Sequence, residues 1–183
     1  MTDTDRSALQ GAVHELLEDL CSEAHVRAAI GTGGGIDAAL WSRLSGMGVL
    51  ELAGAGFRAE ADASHLDLVA VFEELGRAVA PVPALSTAVA LAALDGSGHP
   101  QRDRWVADLS SGARRVALAL AVREDLSTPL ARIEVTPGSN GPRLHGALLA
   151  VPEAAGADGI LVLAPGPALY LVCLLYTSDA ADE

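Results

Sequence analysis

The 183-residue chain contains no lysine: all twelve of its basic residues are arginines. Set against 24 acidic residues, they leave a formal charge of −12. That balance argues against nucleic acid as a partner, because phosphates demand clustered Lys and Arg. The missing lysine, with the Ala and Gly load, points to a GC-rich coding sequence rather than to any chemistry. Aromatic residues make up 3% of the chain, so its core must be built from Ala, Val and Leu. Cys21 and Cys173 make neither a disulfide framework nor a metal spacing. No apolar run of about twenty residues occurs, so no membrane span is expected. The acidic start, Met1-Thr-Asp-Thr-Asp-Arg6, lacks the basic n-region of a secretory signal. A cytoplasmic protein is the expectation. Gly31-Thr-Gly-Gly-Gly35 has no preceding strand and no following Lys-Ser/Thr, so it is a helix–helix linker and not a phosphate cradle.

What is present is 50% hydrophobic residues, enough for a sizeable core in one domain or one and a half. The chain is organised around Ser64–Pro83. Ser64 and Asp67 form a capping box at a helix start. Leu68, Phe72, Leu75 and Val79 recur on one stripe, which predicts their burial. Asp67, Ala70, Glu74 and Arg77 fall on another face, where a mid-helix carboxylate is ordinarily solvated. Glu73 and Arg77 are spaced for an ion pair. Gly76 disfavours the helix by about 1 kcal/mol against Ala, which predicts close packing there. Pro81 and Pro83 end the helix.

Around this stretch the pattern predicts further helices. One spans Asp3 to about Ala29, with Leu9, Val13, Leu16 and Leu20 as its stripe and His14 and His25 at its surface. Another is capped by Asp37, carries Leu40, Trp41, Leu44 and Met47, and ends at Gly48 in a left-handed cap. Residues 54–63 read as a surface loop. Ala84–Leu94 is a short apolar helix, and His99-Pro100 opens another that carries Trp105, Val106 and Leu109. The period then changes. Arg115–Val122, a run through Ala131, Ile133 and Val135, Arg143–Val151, Gly159–Ala164 and Ala168–Val172 all read as strands, with turn chemistry at Gly138-Ser-Asn-Gly141. The expected fold class is α+β: an N-terminal all-α helical bundle over residues 1–112, then an incomplete antiparallel β domain over 113–172.

Three phrases carry a more specific signal. Glu73-Glu-Leu-Gly-Arg-Ala-Val-Ala-Pro-Val-Pro83, Ala38–Leu52 and Gln101-Arg-Asp-Arg-Trp-Val-Ala-Asp-Leu-Ser-Ser-Gly112 resemble, in the right order, helices of the N-terminal domain of acyl-CoA dehydrogenases. The resemblance implies a helical domain followed by a β-barrel-like middle domain. It also implies FAD-dependent α,β-dehydrogenation of an acyl-CoA thioester: a carboxylate base takes the α proton, and the flavin receives the β hydride. In the family that base lies in a C-terminal helical domain beyond this chain, so no catalytic residue is assigned here and none is a metal ligand. Acyl-CoA and an electron-transfer acceptor are the implied partners, with a homo- or hetero-oligomer as the assembly.

The resemblance also implies cofactor positions. Arg114–Val122 matches the first middle-domain strand, which places Leu118, Leu120 and Ala121 at flavin-contacting positions. Ala121 stands where the family has Thr. Leu144–Asp158 matches the strand carrying an aromatic-Ile-Thr phrase, and here those positions are Ala150, Val151 and Pro152. The implied function is therefore that of an acyl-CoA dehydrogenase fragment acting in fatty acid, steroid or side-chain catabolism, inactive by itself. The alternative is a partner subunit that binds no flavin within a heteromeric dehydrogenase.

The last eleven residues, Cys173-Leu-Leu-Tyr-Thr-Ser-Asp-Ala-Ala-Asp-Glu183, stand apart. Back-translated, they reproduce a transposase adapter used to build sequencing libraries. The expectation is that they are adapter read-through and that the gene fragment ends near Val172.

Overall fold

A computed structural model describes residues 2–31, 35–60, 62–119, 133–139, 141–148, 151–164 and 168–174. Seven helices precede five strands among them, which is the expected α+β order.

Helix α1 (Asp3–Leu20) starts at a capping box in which the Thr2 hydroxyl accepts from the Asp5 N–H and Asp5 accepts in return. The single helix expected to Ala29 is two. Cys21, at φ −119° and ψ 50°, breaks the run. α2 (Glu23–Gly31) restarts with the Ser22 hydroxyl accepting from the His25 N–H. Asp37 caps α3 (Ala38–Gly46) by accepting from the Ala39 and Leu40 N–H groups. Gly48 then takes φ +73°, as its sequence position predicts.

A 3-10 turn at Glu51–Ala53 leads into α4 (Ala55–Glu60), where the sequence pattern predicts a loop. The reason lies forty residues away. The Asp95 carboxylate accepts from the Ala55 and Gly56 N–H groups and supplies the cap that the local sequence lacks. Arg58 then clamps the incoming chain by donating to the Leu52 and Ala53 carbonyls.

The organising helix is α5 (His65–Arg77), capped by the Ser64–Asp67 box as expected. Its buried face differs from the expected one. Leu75 is buried, and Leu68 and Phe72 are partly so, but Val79 is exposed at φ 51° beyond the helix end. Asp67 and Glu74, expected in solvent, are 1% and 4% exposed because α1 lies across them. Gly76 meets nothing that a methyl group would displace, so no close packing explains it.

Helix α6 (Ala84–Asp95) is apolar nearly all round and buries Ala88, Ala90, Leu91 and Leu94. Helix α7 begins at Arg102, two residues after Pro100, and runs to Ser110 with Trp105 and Leu109 inward. Gly112 follows at φ +70°, and its carbonyl accepts from the Trp41 indole N–H.

The strands divide into two groups. β1 (Val116–Ala119) pairs parallel with β4 (Gly159–Leu163), and β4 pairs antiparallel with β5 (Leu169–Cys173). β2 (Glu134–Thr136) and β3 (Arg143–His145) form a separate antiparallel hairpin. β3 is shorter than the Arg143–Val151 run expected. Alternation sorts the sheet's two faces. Val116, Leu118, Leu161 and Leu171 pack with α6 and α7. Ala119, Val162, Tyr170 and Val172 pack with Ile133 and Leu144 on the other side. Gly159 opens β4, where an added methyl would crowd the Val172 carbonyl oxygen at 3.2 Å and touch Trp105 and Leu171 at 3.5 Å. Cys173 closes β5 opposite Gly159, and the Leu174 N–H donates to the Asp158 carbonyl. Residues 175–183 lie outside the described residues.

Candidate functional site

Of the five positions that the sequence marks for a cofactor, two lie among the described residues. Leu118 sits in β1 opposite Leu161, half-buried on the face toward α6 and α7. Pro152 is exposed in the turn before a second 3-10 turn, Ala154–Gly156. Leu120, Ala121 and Ala150 lie outside the described residues.

The turn at Pro152 is held from the helical side. Glu153 adopts φ 63°, a left-handed backbone that disfavours a residue with a side chain. Its carboxylate accepts from the Ser86 hydroxyl in the first turn of α6. Gly156 packs on Ile36, and any added methyl would run into that side chain. The Asp37 N–H just beyond donates to the Pro81 carbonyl at 2.8 Å. The start of α6, the entry to α3 and the Pro152 turn thus share one seam. Beside Ser86, the Thr87 hydroxyl is fully buried and, among the described residues, is the one buried side-chain polar atom without a partner.

Side-chain chemistry tests these positions against FAD. Leu118, Leu120, Ala121, Ala150 and Pro152 are all aliphatic. None offers a side-chain donor to a flavin ring, and proline lacks even its N–H. A missing buried hydrogen bond costs about 1 kcal/mol or more. A missing aromatic wall costs about as much again. These five residues supply apolar contact and little else, so they do not fit the group.

A polar seam between α1 and α5, missed in the sequence pattern, ties the first helix to the organising one. Arg6 Nε donates to Asp67 Oδ1 at 2.7 Å, Gln10 Nε2 donates to Glu74 Oε1 at 2.8 Å, and His14 Nδ1 lies 2.9 Å from Glu74 Oε2. Burial pushes the Asp67 carboxyl up, but the Ser64 N–H, the Arg6 guanidinium and the Ser64 hydroxyl pull it further down, below its ordinary value. Hydrogen bonds from Gln10 and His14 hold Glu74 below its ordinary value against burial, with Arg77 adding to them. Their spacing on α5 was legible, since 67, 70, 74 and 77 form one stripe. The matching stripe 6, 10, 14 on α1 was the unused signal. Both carboxylates are spent on α1, so neither is a free base, and no catalytic residue is assigned to them. No group of three or more His, Cys, Asp or Glu suited to a metal occurs among the described residues.

The fold has close counterparts among solved structures. A variant of the Tcur3481-Tcur3483 steroid acyl-CoA dehydrogenase superposes with a TM-score of 0.79 and 31% identity, over 93% of this chain. The ChsE4-ChsE5 complex from Mycobacterium tuberculosis gives 0.77 and 28%, over 94%. The chain spans 48% of the length of each of these proteins. No family model and no curated protein matches. Three ordered sequence phrases, a helix-to-strand order and a backbone that follows theirs almost throughout agree, and the chain belongs to the acyl-CoA dehydrogenase family.

Proposed function

We propose that this chain is the N-terminal part of a subunit of a two-subunit acyl-CoA dehydrogenase, working in the cytoplasm on the thioester of a steroid-like acyl group. Residues 1–112 form its helical domain and 113–172 the start of its middle β domain. The observation that carries this reading is the match over 93% of the chain to a steroid acyl-CoA dehydrogenase. Both structural counterparts bear the names of two proteins, which supports a paired assembly. The bulk of the reactive machinery, including the base, is assigned to sequence that corresponds to the other half of those proteins. An electron-transfer acceptor takes the reducing equivalents.

A second reading follows from the aliphatic cofactor positions. There this subunit leaves FAD to its partner and serves the assembly structurally. Expression of the complete gene alone, then with its genomic neighbour, separates the two. Flavin absorbance from the subunit alone supports a cofactor of its own, and absorbance on co-expression alone supports the structural role. Dehydrogenation of a steroid acyl-CoA by neither preparation overturns the proposed activity. The chain by itself is expected to show no turnover with an electron acceptor.

A further inference from the structure

A cleft of about 320 Å³ opens between the C-terminal end of α6 and the β4–β5 pair. Its walls are Ala93, Leu94, Leu161, Leu169 and Leu171, and Ser97 and His99 stand at its rim. Among the described residues no charged side chain lines it, so phosphate-bearing molecules such as a coenzyme A tail meet no counter-charge from them. Leu169, on its wall, is 48% exposed, and the cleft is open to solvent.

The rim polarity is defined by local bonds. The Ser97 hydroxyl donates to the Leu94 carbonyl and accepts from the His99 N–H, so both its roles are taken within the turn. His99 Nδ1 accepts from the Gln101 N–H at 3.1 Å. A neutral imidazole whose Nδ1 accepts carries its proton on Nε2. The cleft therefore combines apolar walls with a serine and an imidazole at its rim, and its volume falls in the lower part of the range for small-molecule sites.

We propose that this cleft binds an apolar ring compound of steroid size through a carbonyl oxygen that accepts from His99 Nε2–H. The steroid class rests on the function proposed above, while the apolar, uncharged, acceptor-bearing chemistry rests on the cleft. Thioester chemistry is not assigned to it, since among the described residues no carboxylate lines it to take a proton.

Progesterone, which carries ring carbonyls and no thioester, is the probe. Equilibrium dialysis with the full chain is expected to show saturable binding at about one site. Leu169→Glu puts a charge on the half-exposed wall and is expected to weaken binding by roughly tenfold or more. His99→Phe keeps the bulk and loses the donor, for about a three- to tenfold loss. His99→Gln, which retains a donor, is expected to lose less. If Leu169→Glu fails to fold by circular dichroism, Ala93→Phe fills the cleft without charge and must also weaken binding. Absence of saturable uptake overturns the proposal and leaves the cleft as a seat for protein. Binding that is indifferent to every variant overturns the location. Turnover of a steroid acyl-CoA by the complete assembly is a separate readout, so loss of that activity with progesterone binding intact sinks the proposed function and not the cleft.

Discussion

Glu74 of α5 holds His14 of α1 at 2.9 Å, from sixty positions along the chain, while its other oxygen accepts from Gln10. The carboxylate is 4% exposed, and this pair joins the first helix to the organising one. Removing the acceptor leaves the Gln10 amide and the His14 imidazole without their shared partner. Glu74→Ala is expected to lower the thermal midpoint by roughly 5–10 °C. His14→Ala is expected to cost less, because the imidazole is 46% exposed. Calorimetry of both variants and of the double variant should show less than additive losses; full additivity would mean that the contact contributes nothing.

Acid should act on the same seam and on the Asp95 cap. Asp67, Glu74 and Asp95 all titrate below their ordinary values in the folded chain. Their contribution is therefore complete above the unfolded carboxylate range, about pH 4, and is lost as pH falls through the depressed folded values. Urea midpoints are expected to be nearly level from pH 7 to about 5 and to fall below about pH 4. The Asp67→Asn, Glu74→Gln double variant starts lower at neutral pH and should show a shallower acid fall. An equal fall in both chains would remove these carboxylates as its source.

Gly112 sits at φ +70° with Ser45 directly where a methyl group would point, and its carbonyl accepts from Trp41 Nε1 at 2.9 Å. Gly112→Ala should destabilise the chain by about 2 kcal/mol or more, through backbone strain and the collision together. Pairing it with Ser45→Gly is expected to recover the part due to collision. Denaturant unfolding of both measures the split.

Asp95 caps α4 at a distance and also holds Arg102 at 2.5 Å. Burial raises its carboxyl, and the Gly56 and Ala55 N–H groups with Arg102 more than reverse that. Asp95→Ala should cost about 1 kcal/mol as a lost cap. Hydrogen exchange would speed most at residues 55–60, as α4 frays first. Uniform loss of protection across all helices would show that Asp95 is not a local cap.

The comparison of α5 with α4 shows where reading by pattern works. Ser64, Asp67 and the apolar period lie within one helix turn of each other, so α5 and its start are set by local bonds. The same holds for Asp37 at α3 and for the glycine after it at position 48. α4 carries no such signal, because its cap comes from Asp95. The cofactor positions were legible as a resemblance and no further, since aliphatic side chains such as those of Leu118 and Pro152 carry no geometry of their own.

The sequence by itself determined the helix-then-strand order, the caps at Ser64 and Asp37, the alternation in the sheet and the family phrases, because each depends on residues a few positions apart. Tertiary structure alone decided that Asp67 and Glu74 face inward, that residues 55–60 coil into a helix and that β1 runs parallel to β4. Those outcomes depend on partners brought from forty or more positions away. A charged side chain takes its surroundings from such partners, and no local period encodes them.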